Sequence, residues 1–319
     1  MAAASKTADR DELGVSLAEK YFSLRLANEV IALKREVRNS MEDHYKRALK
    51  LEKAGMLAKV ERLHAEMSLS EAEKSLEQSI REARLANTAL KSMINVNDDV
   101  ITPSTPLFII EENNLDNLAF FQDNAVSANP KLKQLSSAEG LAKAGVTAGR
   151  ADFIPKINAF GMANLYEYEL SPMAPEITVG VALSMNIFDG LQNYHNYKAS
   201  QAAAESVRLR SQRASKDIKT LVEQQYIIME NARADYKSSE TTMAFAEEYL
   251  RARQKAFNQG MATSLDVVDA ELALSNAKMS SILAAYKFDM ALIKLLETSG
   301  MFDSFETFRA RASIEPGLK

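Results

Sequence analysis

Cysteine and tryptophan are absent from this 319-residue chain, and glycine (11) and proline (7) are scarce. Without cysteine there is no disulfide and no thiolate metal site, a usage that fits a reducing cytosol or a periplasm. With so few turn-formers, the punctuation of a many-element globule is missing, although the length alone would suit about two compact domains. No apolar run approaches the roughly 18 residues of a membrane-spanning helix. An excess of basic charge is lacking too. Lys and Arg number 39 against 43 Asp and Glu, for a net charge of −4. Nucleic acid is therefore not an expected partner, because phosphate binding needs a concentrated basic face. His44, His64 and His195 have no ligand spacing and are expected at the surface. No Ser-His-Asp arrangement, phosphate loop or metal box is present, so no catalytic, cofactor-binding or metal-binding residue is expected and an enzyme is not the reading. The opening Met1-Ala2-Ala3-Ala4-Ser5-Lys6 stretch carries no apolar segment of a signal peptide.

What is present is Ala, Glu, Lys, Leu and Arg, the composition of long helices. Two stretches also resemble each other at a fixed offset of 205 positions, which places Gly260-Met261 on Gly55-Met56 and Ala270-Glu271 on Ala65-Glu66. In each copy one glycine separates two long segments free of proline and glycine. A repeat of this length points to a duplicated unit, here helix, glycine-marked tip, helix.

The first helical hairpin is expected over 15–101, ended by Thr102-Pro103-Ser104-Thr105-Pro106. Residues 102–128 read as an irregular linker, and Asn129-Pro130 as the start of a helix over 129–152. The second helical hairpin is expected over 191–299, its first arm running from Leu191 to Gln259, about 100 Å at 1.5 Å per residue. In the second arm Val268, Leu272, Met279, Ile282, Tyr286, Ile293 and Leu296 step in coiled-coil rhythm and are the expected seam. The tail, 300–319, reads as short mixed structure.

Between the helices the period changes to two. From Ile177 to Ile187 the odd positions Ile177, Val179, Val181, Leu183, Met185 and Ile187 are apolar, while the even ones are small or polar. This is a strand with one apolar face. Ile157, Ala159, Gly161, Ala163 and Leu165 form one side of a less regular preceding strand, and Ser171-Pro172-Met173-Ala174-Pro175 joins the two as a β-hairpin within 153–190. A lone hairpin is marginal in water, so its apolar face needs other strands or lipid. Alternation of this kind suits a transmembrane β-barrel or a sheet packed on a helix.

Phe153-Ile154-Pro155-Lys156-Ile157, Val179-Gly180-Val181-Ala182-Leu183-Ser184-Met185, Phe188-Asp189-Gly190 and Phe257-Asn258-Gln259-Gly260-Met261-Ala262-Thr263-Ser264-Leu265-Asp266-Val267-Val268-Asp269-Ala270 together resemble the TolC-like outer membrane factors, the outer membrane efflux protein family. As a set they are specific, and the resemblance runs over about 16–298. It implies a mainly α fold with a β-hairpin: long antiparallel helical hairpins forming a periplasmic α-barrel, plus strands of a transmembrane β-barrel shared in a homotrimer. It further implies an outer-membrane channel of a tripartite efflux or type I secretion system, opened through a periplasmic adaptor with an inner-membrane transporter behind it, passive and without a cofactor. Outer-membrane lipid would cover the strands. Family members carry two such β-hairpins per protomer and a signal peptide, so the chain is expected to be N-terminally incomplete.

On that resemblance the helix tips contact the adaptor through Lys53, Gly55, Met56, Leu57, Asn258, Gly260, Met261 and Ala262. Asp266 and Asp269, three apart on one helix face, would form stacked carboxylate rings at the channel constriction. Their counterparts in the first copy are Glu61 and His64. Ala262 stands where the family often has a basic residue that ties the tip shut. Tyr166 and Tyr168 fit either an aromatic girdle at the membrane interface or the inside of a loop. The alternative from another class is a soluble coiled-coil scaffold or adaptor-like interaction protein whose hairpin packs in a small non-membrane domain.

Overall fold

The computed structural model describes residues 2–96, 101–163, 177–186 and 189–315. The elements run in the order α1 (Ala2–Lys53), α2 (Lys59–Ile94), α3 (Leu118–Ala128), α4 (Pro130–Ala151), β1 (Lys156–Ala163), β2 (Ile177–Ser184), α5 (Gln192–Asn258), α6 (Ser264–Thr298) and α7 (Phe305–Arg309). They form two compact units, one built mainly on 131–216 and the other on 6–130 with 217–319.

The unit on 131–216 contains α4, the β-hairpin and the first turns of α5. Where α4 ends, Phe153 meets Tyr197 of α5 edge-on, with ring centroids 6.2 Å apart, and Arg150 donates to the Tyr197 hydroxyl at 3.4 Å. Pro155, which has no N–H to give a ladder, precedes β1. The strands then pair antiparallel from Lys156↔Ser184 to Ala163↔Ile177. Directly opposed residues share a face, so Ile157, Ala159, Gly161 and Ala163 lie with Leu183, Val181, Val179 and Ile177. On the other face the Phe160 ring covers Gly180, where a Cβ would come within 2.7 Å of it. The expected strand to Ile187 is shortened: pairing stops at Ser184 because its partner strand begins only after Pro155, and Met185 lies beyond the ladder. Ile187, Phe188, Leu165, Tyr166, Tyr168 and the 171–175 turn lie outside the described residues. At the return to helix, Gly190 and Leu191 take φ of +66° and +70°, and the Asp189 carboxylate accepts from Asn193 N–H at 2.9 Å.

The other unit is four long helical arms with two packed regions. Near its middle, Leu107, Phe108, Ile109 and Ile110 are all sealed from solvent, the Phe108 ring meets that of Phe288 edge-on at 6.4 Å, and Phe121 and Phe308 are buried against each other. Ile109 bridges Ile314 of the tail, its N–H donating at 2.9 Å. The segment over 102–128 is thus only partly irregular. Asn117 caps α3 by accepting from Phe120 N–H at 3.0 Å, a cap that apolar spacing alone does not reveal. α1 also starts well before the expected Val15. The last long helix ends at Gly300 (φ +68°), where a Cβ would lie 2.7 Å from the Ala128 carbonyl carbon. Glycine is needed there both for the turn and for the approach.

The second region lies at the helix ends, where Ala48, Ala65, Ala246, Leu250, Phe257, Val267, Ala270, Leu274 and Ala277 form one core. This corrects the expected seam. Leu272 is 58% exposed, Val268, Met279 and Tyr286 are half-buried, and only Ile282, Ile293 and Leu296 of the seven are buried. The packed face of α6 is rotated toward alanine and serine, because small side chains let neighbouring helix axes come close.

Candidate functional site: the paired helix tips and the hairpin face

At the first tip, Gly55 N–H donates to Glu52 O at 2.9 Å and Met56 N–H to Leu51 O at 2.9 Å. At the second, Gly260 N–H donates to Phe257 O at 3.0 Å and Met261 N–H to Ala256 O at 2.9 Å. Each pair is a Schellman closure, with glycine at φ +72° and +74° respectively. Of the eight predicted tip residues, Lys53, Gly55, Met56, Asn258, Gly260 and Met261 are exposed, while Leu57 and Ala262 are half-buried against the tip core. The structure therefore brings all eight to two neighbouring turns and leaves six of them free to touch a partner.

Asp266 and Asp269 follow on the first turns of α6. Asp266 is not simply a free carboxylate. Its side chain accepts from Thr263 N–H at 2.8 Å, while Thr263 Oγ1 accepts from Asp266 N–H at 3.2 Å. This is a capping box at the α6 N-terminus, and the Thr-Ser-Leu-Asp spacing announces it in the sequence. Arg253 stands 3.4 Å away. The Thr263 backbone and side-chain hydrogen bonds, followed by Arg253, hold the Asp266 carboxyl below its ordinary range. Asp269 is exposed. A ring built from this pair would have a fixed member and a freer one.

Three polar residues at the tips were not foreseen. His44, expected at the surface, is buried, with Nε2 2.8 Å from Ser264 Oγ and its ring 4.7 Å from that of Phe257. Helical spacing places Tyr45 and His44 side by side, and only the position of α5 and α6 decides which one faces inward. Ser264 N–H, at the first position of α6, donates to Glu61 Oε2 of α2 at 2.6 Å. Glu271 is buried and accepts from Ser40 Oγ at 2.6 Å, and burial pushes its carboxyl up. His64 and His195 are exposed, as expected.

The hairpin supplies the other candidate surface. Ile177, Val179, Val181 and Leu183 are each about 70–80% exposed, and Ile157 is 72% exposed beside them. An uncovered apolar face of this kind marks a contact with protein or lipid. Among the described residues no helix is long and apolar enough to cross a membrane, and no group of acidic, His or Cys side chains is placed to hold a metal ion.

Residues 122–301 match the model of a family described as outer membrane efflux protein. Alkaline protease secretion protein AprF of Pseudomonas aeruginosa is 22% identical over 320 residues, covering 96% of this chain and 65% of the relative. The chain thus spans about 65% of the length of that curated relative. Among solved structures, CusC, described with the conformational changes accompanying folding and transmembrane channel formation, superposes with a TM-score of 0.79 at 16% identity, over 93% of this chain and 70% of that one. The open state of the Neisseria gonorrhoeae MtrE outer membrane channel gives 0.77 at 21% identity, over 94% and 68%. At these identities the structural likeness concerns the fold, which is the mainly helical, hairpin-bearing fold of outer membrane channels.

Proposed function

This chain belongs to the outer membrane efflux protein family, and from that premise we propose that it serves as a passive export duct across the outer membrane. Three copies combine, their β-hairpins contributing strands to a shared barrel and their long helices a tube in the periplasm. The apolar face formed by Ile177, Val179, Val181 and Leu183 with Ile157 meets lipid. Lys53, Gly55, Met56, Leu57, Asn258, Gly260, Met261 and Ala262 meet a periplasmic adaptor that links the duct to an inner-membrane transporter. Asp266 and Asp269 repeat around the axis as carboxylate rings that favour cations at the narrowest point. No chemistry is assigned to the chain, and the work of export belongs to the transporter. A secretion role of the kind carried in AprF's name fits the same architecture as efflux does.

The observation that carries this reading is the uncovered apolar face of the hairpin, since a two-stranded ribbon cannot shield such a face itself. Purified protein reconstituted into planar bilayers should give discrete conductance steps. Val181→Arg should reduce the assembled fraction in liposomes, with a cost of about 2–4 kcal/mol if the site faces lipid near the midplane. Unchanged assembly of that variant would remove lipid as the partner of this face. Asp269→Asn should lower cation preference, read as a smaller reversal potential across a salt gradient.

A further inference from the structure

His44 is 1% exposed, sealed among the tips of α1, α5 and α6. Its Nε2 is 2.8 Å from Ser264 Oγ, and its Nδ1 has no hydrogen-bond partner among the described residues. Ser264 is the first residue of α6, and its backbone N–H is held by Glu61 of α2 at 2.6 Å. Both arms of the first hairpin therefore grip one residue of the second, α1 through the hydroxyl and α2 through the backbone.

This arrangement suits a neutral imidazole. One ring nitrogen shares a proton with the Ser264 hydroxyl, the other is buried without a partner, and the ring as a whole lies against Phe257. A second proton has no good place there. It would create a buried N–H without an acceptor and a buried charge near Arg47 on the same helix. Three carboxylates on the neighbouring helices are already engaged. On α2, Glu61 is held by Ser264 N–H. On α6, Asp266 is held by Thr263 and Arg253 of α5, and Glu271 is bonded to Ser40. α5 presents the Phe257 ring to the imidazole.

We propose that His44 is the proton-sensitive positioning residue of the tip junction: neutral, it holds the start of α6 against the first hairpin, and on protonation it lets α6 go. What that release opens rests on the duct reading above, because α6 carries Asp266 and Asp269. The sign follows from burial and then Arg47, which lower the His44 value to about 4 from an ordinary 6.5. The released form binds the proton first, so the junction is complete above about pH 6.5 and weakens as pH falls toward 4. Within that window each pH unit favours release by up to about tenfold.

The chain has no cysteine, so Lys59→Cys and Gln259→Cys put spin labels at the two tips and nowhere else. Electron–electron double resonance on the full chain in detergent, stepped from about pH 7.5 to 4.5 across the window set by histidine titration, reads their separation. A single short distance at the upper end should give way to a longer, broader distribution whose share grows as pH falls from about 6.5 toward 4.5. His44→Gln, which keeps a polar amide and takes no proton, should make the distance independent of pH. Should that variant not fold, Glu61→Gln serves instead. By loosening the other grip on Ser264 it should move the release to higher pH, and an unmoved midpoint would count against the junction. A distance unchanged over the whole range, or a pH response that survives in His44→Gln, overturns the proposal. Bilayer conductance of the same samples separates the two claims. Acid-lengthened distances without conductance at any pH sink the duct and keep the junction, whereas conductance with a pH-independent distance does the reverse.

Discussion

At Gly55 and Gly260 the chain makes the same turn twice, with φ of +72° and +74° and the same pair of backbone closures. Beyond the glycine the two copies part. The second starts its outgoing helix with a capping box between Thr263 and Asp266, while the first has Ala58 at the equivalent place and no side-chain cap. Glu61, the counterpart of Asp266, reaches across to the second copy and supplies Ser264 with an acceptor. The counterpart pair Glu66 and Glu271 divides likewise, one exposed and beside Arg62, the other buried on Ser40. Duplicated sequence has thus produced one tip that stands on its own cap and one that spends its carboxylate on its neighbour. The tips act as a junction because they differ.

That contrast can be broken most forcefully at Phe257, which is 1% exposed in the tip core. Phe257→Ala should cost about 3–5 kcal/mol, read from hydrogen exchange over 243–277. Its counterpart, Glu52, only pairs with Arg62 near the surface, so Glu52→Ala should cost far less. Equal losses would mean that the two tips share the core evenly. The glycines provide the symmetric control. An added Cβ meets nothing within 4 Å at either, so Gly55→Ala and Gly260→Ala should each lose about 1–2 kcal/mol from the left-handed backbone alone. A marked inequality in thermal unfolding would show that the turns are not equivalent after all.

Capping gives a smaller effect. Thr263→Ala should cost about 1 kcal/mol. Ala58→Ser would offer α2 a box with Glu61 at its third helical position, drawing that carboxylate off Ser264. Faster exchange at Ser264 N–H in Ala58→Ser is the expected sign, and unchanged exchange would deny that Glu61 is shared.

The smallest effect is at the paired glutamates. Burial raises Glu271 above its usual 4.5. An unfolded chain therefore loses the proton first as pH rises, and stability present in acid is lost as pH climbs through the folded value. Glu271→Gln should raise the melting temperature at pH 7 by a small amount that vanishes toward acid. Glu66→Gln should leave the pH profile as it was.

Much of the architecture was legible in the chain. The two tips were marked by glycine and by the offset between copies, and strand alternation set which residues share the hairpin face. The misses have a common origin. Coiled-coil spacing along α6 runs through Val268, Leu272 and Met279, yet Ala270, Leu274 and Ala277 lie inside. Alanine is ambiguous in a sequence rich in it, and only a partner helix shows whether it is a contact or a surface. The α3 cap at Asn117 and the box at Thr263–Asp266 are local signals carried by single polar residues, which apolar spacing does not register.

The sequence by itself determined where helices run and turn, where the period changes from helical to extended, and which family the chain resembles. These rest on backbone preference and local side-chain spacing, which act over a few residues. Only the tertiary structure decided that His44 is inside, that Glu271 is buried while Glu66 is not, and that Glu61 serves the helix opposite. Burial is a relation between elements, and a residue's own neighbours in sequence do not contain the surface that will cover it.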